Sequence, residues 1–190
     1  MSTHTIRKIG FTTIIFIILF YACSENPGKT QQSVSWQTEL EEKLPLLGHR
    51  NWILVVDKAF PLQTGEGIEV LYTGEQLLPV LSHVLSEVEK ADHVNPTVYT
   101  DKELQYLNDN LVGGIEKYKD SLKQVILENT ESMLHDSVFT KIKEASQMFQ
   151  ILVLKTDQTM AYSSVFIELG CQYWPAEKEN KLRSIMENEL

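Results

Sequence analysis

The tetrapeptide Ile53-Leu54-Val55-Val56 constrains this chain more than any other stretch. Four consecutive apolar residues, three of them β-branched, leave no polar side for solvent, which is the pattern of a strand buried on both faces of a sheet. Gly48, His49, Arg50 and Asn51 precede it as a loop, and Asp57 stands directly at its end, before a turn closed by Pro61. A carboxylate after the last residue of such a strand lies where open α/β sheets place their ligands. A plain turn-capping role for Asp57 and a simple loop position for His49 account for the same letters equally well.

The rest of the chain alternates around that strand. Leu40, Leu44 and Leu47 recur at helical spacing from Trp36 onward, with Glu39, Glu41 and Glu42 near the start, predicting a short amphipathic helix. Ile68 to Tyr72 reads as a second strand. Leu77, Leu78, Val80, Leu81, Val84, Leu85 and Val88 then trace one side of a helix that the spacing starts at Pro79. Val98 and Tyr99 hint at a third strand. Residues 101–131 are polar and weakly periodic, giving two helices, or one broken at Gly113-Gly114. A further helix opens with Asp136 or Ser137 as N-cap and buries Val138, Ile142, Ala145 and Phe149. Residues 151–154 form a strand, 156–161 a turn, 164–169 a last strand and 175–190 a charged, peripheral helix. Strands interleaved with helices make this an α/β chain. Its 190 residues, 43% of them hydrophobic, suffice for one core.

Composition removes several function classes. The formal charge is −9 and the basic residues are dispersed, which argues against a nucleic-acid surface. No CxxC, no Cys/His cluster at metal spacing, no Gly-rich phosphate loop and no GxSxG occurs, so no cofactor and no metal is expected. His83 sits beside core positions of its helix and His93 in a polar loop; both read as structural or solvated.

At the start, Arg7 and Lys8 precede an apolar run from Ile9 to Tyr21, followed by Ala22 and Cys23. A basic segment, a short apolar segment and a small residue describe a secretory signal over residues 1–22. A cysteine directly afterwards resembles the lipobox of bacterial lipoproteins, with Phe20 departing from the usual leucine. That makes Cys23 the lipidation site, 23–35 a Ser/Gln/Asn-rich tether and 36–190 the folded domain, anchored through lipid in the cell envelope. An uncleaved anchor helix is the alternative, and it also places the domain outside the cytoplasm. Cys171 then has no partner and reads as a small buried hydrophobe.

Leu47-Gly48-His49, the apolar strand to Asp57 and the Phe60-Pro61 that follows resemble the opening motif of the ribose pyranase and fucose mutarotase (RbsD/FucU) family. The resemblance continues through Ile68-Glu69-Val70 and the Leu/Val-rich helix, through Leu134-His135-Asp136, and through Lys155-Thr156-Asp157-Gln158 with Tyr162-Ser163-Ser164-Val165. It runs from about residue 44 to 170 and is loosest over 92–132. It implies a three-layer α/β/α fold with a mostly parallel, mixed central sheet. It also implies His49 as the acid/base group, with Asp57, His135, Tyr162 and Ser164 contacting a free monosaccharide. Lys58 replaces a small residue, Asp157-Gln158 replaces Gly-Glu, and Ser164 replaces an asparagine. The family is cytoplasmic, so an exported lipoprotein version is itself a departure.

The implied chemistry suits these groups. A reducing sugar changes anomer or ring size by opening its hemiacetal, which needs one proton off the anomeric hydroxyl and one onto the ring oxygen. A near-neutral histidine can do both. His49 and Asp57, however, flank opposite ends of one strand, and eight extended residues reach up to roughly 26 Å. Either the loop folds back or one group comes from a neighbouring subunit. The family's ring-shaped assemblies, with sites at subunit contacts, favour the second and imply a homo-oligomer. Three readings follow: an exported sugar mutarotase or pyranase, a non-catalytic sugar-binding lipoprotein with the same pocket, and a structural surface lipoprotein on a borrowed fold.

Overall fold

The computed structural model describes residues 34–126 and 128–188; the signal segment, Cys23 and nearly all of the tether lie outside the described residues. The elements are α1 (Trp36–Lys43), which runs on into a 3-10 turn at Leu44–Leu46, then β1 (Trp52–Val56), β2 (Ile68–Tyr72) and α2 (Leu77–Lys90). Next come β3 (Val94–Asp101), a 3-10 turn at Lys102–Tyr106, α3 (Ile115–Val125) and β4 (Glu131–Met133). The chain continues through α4 (His135–Ala145), β5 (Ile151–Lys155), β6 (Val165–Cys171) and α5 (Ala176–Asn188).

The strands form one sheet in the order β2-β5-β1-β6-β3-β4. β1 pairs parallel with β5, β5 with β2, and β3 with β4, while β6 runs antiparallel to both β1 and β3. The sheet is therefore mixed and mostly parallel, with β6 alone reversed. Helices cover both faces. Ile53 and Val55 join the cluster made by α1, α2 and α3, whereas Trp52, Leu54 and Val56 join the one under α4. All five residues of β1 are buried, which explains why its sequence has no polar alternation. Each such side chain contributes about 1.5–3 kcal/mol of burial.

Several boundaries differ from the sequence reading, each for a local reason. β3 begins at Val94, well before Val98, and carries Pro96. β4 pairs only with Tyr99 to Asp101, so Pro96 lies where β3 has no neighbour on that side and a missing amide is tolerated. β4 itself has three residues, too few and too polar to register as a strand. α2 starts at Leu77, which makes Pro79 its third residue, still among the amides that no helix bond uses. α4 starts at His135, not at Asp136 or Ser137. Its N-cap Leu134 has no capping side chain; instead the Glu103 carboxylate accepts the His135 N–H at 3.1 and 3.2 Å. Within 101–131 the α-helix is confined to α3, entered through Gly114 at φ 81°. Phe149 falls beyond α4, half-buried under the Arg50 guanidinium at 5.8 Å.

α5 has no buried residue, as its charge pattern implied. His83 stands edge-on to Trp36 and the His93 ring bonds the Leu47 carbonyl, both structural positions. No described helix is long and apolar enough to cross a membrane.

Candidate functional site

The sheet topology brings the C-terminal ends of β1, β3, β4 and β5 to one edge, where the reversed strand β6 begins. Register pairs Val55 with Val165 on one side and Thr100 with Val165 on the other. Ser164 therefore sits between the end of β1 and the end of β3, next to the residue that follows β1 and the residue that closes β3.

Asp57 is held from three directions. Its Oδ1 accepts the Ala59 N–H at 2.8 Å, its Oδ2 accepts the Ser164 hydroxyl at 2.8 Å, and its own N–H donates to Ser164 Oγ at 3.1 Å. On the other side of Ser164, Asp101 closes β3 with no solvent exposure at all. Its Oδ1 lies 3.1 Å from Nδ1 of His135, the first residue of α4. Burial raises the Asp101 carboxyl to about 6; the His135 ring works against that rise, and Glu103 and Asp57 add to it by like charge.

The His135 ring is wedged between two aromatics, Phe139 at 4.9 Å and Tyr162 at 5.4 Å, both near-perpendicular. Phe139 in turn stacks on Phe60 at 5.3 Å. Tyr162 takes φ 57°, a left-handed conformation that costs a bulky residue about 1–2 kcal/mol. The surrounding turn holds it there. Thr156 Oγ1 donates to the Val56 carbonyl, the Lys58 N–H to the Gln158 carbonyl, and the Tyr118 hydroxyl to the Ser163 carbonyl, each at 2.7 Å. Burial pushes the Tyr118 phenol well above its usual range, so it remains a donor.

Asp57, Phe60, His135, Phe139 and Tyr162 line one cleft of about 280 Å³, at the small end of ligand sites. A second hollow, of about 360 Å³, adjoins it against Lys58 and Met160 and shares Asp57, Ala59 and Ala161. Larger hollows lie beside α3 and α2, but no buried carboxylate–imidazole pair faces them. The cleft combines aromatic faces for C–H surfaces with a carboxylate, an imidazole and a phenol for hydroxyls. It offers proton transfer at His135 and fixed hydrogen bonding at Asp57.

Four of the residues singled out in the sequence thus meet: Asp57, His135, Tyr162 and Ser164. His49 does not join them. It is exposed in the turn before β1, where the Gly48 N–H donates to Asn51 Oδ1 at 2.6 Å and the Arg50 N–H to the Leu169 carbonyl at 2.8 Å. Arg50, at φ 74°, turns the chain straight into the strand. The loop does not fold back, and the five residues of β1, about 16 Å of strand, separate His49 from the cleft.

Asp101 and Glu103 escaped the sequence reading. The signal for Asp101 was present, since it ends a strand as Asp57 does, but Asn95-Pro96 hid the strand. Two of the departures from the family pattern prove to be partners: Lys58 Nζ lies 2.7 Å from Asp157 Oδ1, which also accepts the Tyr72 hydroxyl at 2.7 Å. Those two donors, Lys58 first, hold the Asp157 carboxyl below its usual range.

No protein-family model and no curated protein sequence matches the chain. Among solved structures it is similar to Bacillus subtilis RbsD complexed with D-ribose, with TM-score 0.47 and 18% identity over 70% of this chain and 92% of that one. It is also similar to the fucose mutarotase from Streptococcus pneumoniae in complex with L-fucose, with TM-score 0.49 and 13% identity over 73% and 97%. FucU from Bifidobacterium longum is a third, with TM-score 0.45 and 14% identity over 70% and 93%. Among the described residues, no three His, Cys, Asp or Glu side chains converge in a metal-binding arrangement.

Proposed function

We propose that this domain binds a free monosaccharide in the cleft between Asp57 and His135 and interconverts its anomers or ring forms by acid/base opening of the hemiacetal. The observation that carries the reading is the His135–Asp101 pair, 3.1 Å apart, on the wall of a monosaccharide-scale cleft whose opposite side is a fixed carboxylate. Supporting it is the sequence resemblance at Asp57, His135, Tyr162 and Ser164. The charge balance argues for an unphosphorylated sugar. Asp57 lines the cleft, Asp101 and Glu103 bond to His135 on its wall, and the nearby Lys58 ammonium is already neutralised by Asp157.

In this reading His49 enters from the other side of the sugar, contributed by a second copy of the chain, which makes the working form a homo-oligomer. The domain operates on a lipid tether through Cys23 at the cell envelope, and a Cys23→Ser variant is expected to leave the membrane fraction.

Exchange NMR with a panel of reducing monosaccharides tests the function. Acceleration of anomer exchange for at least one sugar is the expected result, and silence across the panel, in binding as well as exchange, overturns the reading. Binding without exchange points to the second reading, a sugar-binding lipoprotein without turnover, which the distance of His49 from its own cleft favours.

A further inference from the structure

The mutarotase reading rests on the His135–Asp101 pair but leaves the part played by Asp101 itself unstated. Asp101 is fully enclosed, yet its Oδ2 has no hydrogen-bond partner among the described residues. A buried carboxylate with a single polar contact is costly, because desolvation of the charge is repaid only at Oδ1. That contact is the His135 ring, which is pinned by everything around it. Its backbone N–H is tied to Glu103, and its ring edges meet Phe139 and Tyr162. With Nδ1 turned to Asp101, Nε2 is the ring nitrogen left to the cleft that His135 lines.

We infer that Asp101 is a positioning residue, holding neutral His135 in its Nδ1–H tautomer so that Nε2 presents a lone pair to the sugar, and that His135 is the protomer's own proton-transfer group. The inference rests on the proposed sugar chemistry and adds a role to it. His135 Nε2 takes the proton from the anomeric O1–H, and the released O1–H electron pair becomes the second bond of the C1 carbonyl. The bond from C1 to the ring oxygen breaks, its pair staying on that oxygen. The imidazolium Nε2–H then returns its proton there. Both oxygens sit on C1, so one imidazole serves both, and nothing is gained or lost. The imidazolium formed in between lies against the Asp101 carboxylate, whose poor solvation makes the attraction count.

The titratable groups facing the pair are Glu103 after β3, Asp57 after β1 and Tyr162 before β6; the exposed Asp136 follows His135 on α4. Tyr118 of α3 is one residue away, bonded to Ser163.

The test compares the full chain with its Asp101→Asn and Asp101→Ser variants by two readouts. In ¹⁵N spectra of the imidazole, the wild type is expected to carry its proton on Nδ1 at neutral pH, and the variants to shift toward the Nε2–H form. In exchange NMR, kcat is expected to fall by at least about 10²-fold with KM held within about twofold, and the acid limb of the pH profile to move. Variants that keep the wild-type tautomer and rate overturn the role of Asp101 while leaving the sugar reading intact. If the wild type accelerates no sugar, the sugar reading fails instead, and the tautomer comparison alone decides whether Asp101 orients His135.

Discussion

Ser164 and Asp57 exchange two hydrogen bonds across the β1–β6 boundary: the Ser164 hydroxyl donates to Asp57 Oδ2 at 2.8 Å and accepts the Asp57 N–H at 3.1 Å. The pair fixes both the backbone and the carboxylate of a residue that otherwise ends a strand and enters a loop. A serine suffices because the sheet register delivers its Oγ to that point, so the hydroxyl positions the carboxylate and leaves the cleft side open.

Removing that hydroxyl is therefore expected to act on binding before chemistry. Ser164→Ala deletes one charge-assisted bond and one neutral bond at a buried position, at a combined cost of about 1–3 kcal/mol. Urea unfolding measures the stability loss. Titration of the best sugar in the NMR panel should show weaker binding at saturating rates near those of the wild type. An unchanged affinity would remove Asp57 from the set of sugar contacts.

Asp101 makes a prediction of the opposite sign. Its carboxyl is raised from 3.8 to about 6, chiefly by burial, so the folded state binds more protons than the unfolded chain between those values. Stability contributed by this group consequently falls as pH rises from about 4 to 6, and the loss is complete above that window. The full effect is at most about 3 kcal/mol, less where solvent in the cleft screens the charge. Asp101→Asn cannot ionise and escapes the loss. Its stability relative to wild type is expected to improve between pH 4 and pH 7 in paired urea titrations, even as its activity drops. Parallel curves for the two proteins would contradict the buried, pressured carboxylate.

Backbone packing yields a sharper contrast between two glycines. A Cβ on Gly67 would lie 2.6 Å from the Ser146 carbonyl oxygen and 2.8 Å from that of Phe149, while the Gly67 carbonyl accepts the Ile151 N–H at 2.7 Å. Gly67→Ala must push the end of α4 away from the sheet, with an expected cost of about 1–3 kcal/mol. At Gly113 a Cβ meets nothing within 4 Å and φ is not left-handed, so Gly113→Ala is expected to be neutral or to stabilise by up to about 1 kcal/mol. Thermal melts of the two variants separate the cases.

Legibility in the sequence followed the strength of the local signal. β1, β5 and α2 were readable almost residue by residue, because a strand covered on both faces admits only apolar residues and α2 has a continuous apolar side. β4 was unreadable: three residues, two of them polar, pair with β3 only because α3 and α4 bring them there, a tertiary cause with no local trace. The start of α4 was misplaced for a similar reason, since its cap is Glu103, thirty-two residues earlier in the chain. At the site, Asp57 announced itself by following an unmistakable strand. Asp101 is the last residue of β3, one register step short of where Asp57 follows β1, but Asn95 and Pro96 broke the strand pattern that would have drawn attention to it.

The distance between His49 and its own cleft leads to the last prediction. Five residues of β1 intervene, the flanking turn is tied by Gly48, Asn51 and Leu169, and no described contact draws His49 toward Asp57. If His49 and Asp57 act on one sugar, they belong to different copies, and each site is assembled from two chains. With His135 carrying the proton, His49 and Asp57 act as sugar contacts from two copies, so His49→Ala and Asp57→Asn should each lose most exchange alone, yet complement each other. In randomly mixed oligomers of the two variants, about a quarter of the sites receive an intact histidine from one neighbour and an intact aspartate from the other. Co-refolding the two inactive proteins is thus expected to recover about a quarter of wild-type exchange activity, with light scattering reporting an oligomer. Recovery of nothing, from variants that fold and assemble normally, would confine the site to a single chain and remove His49 from it.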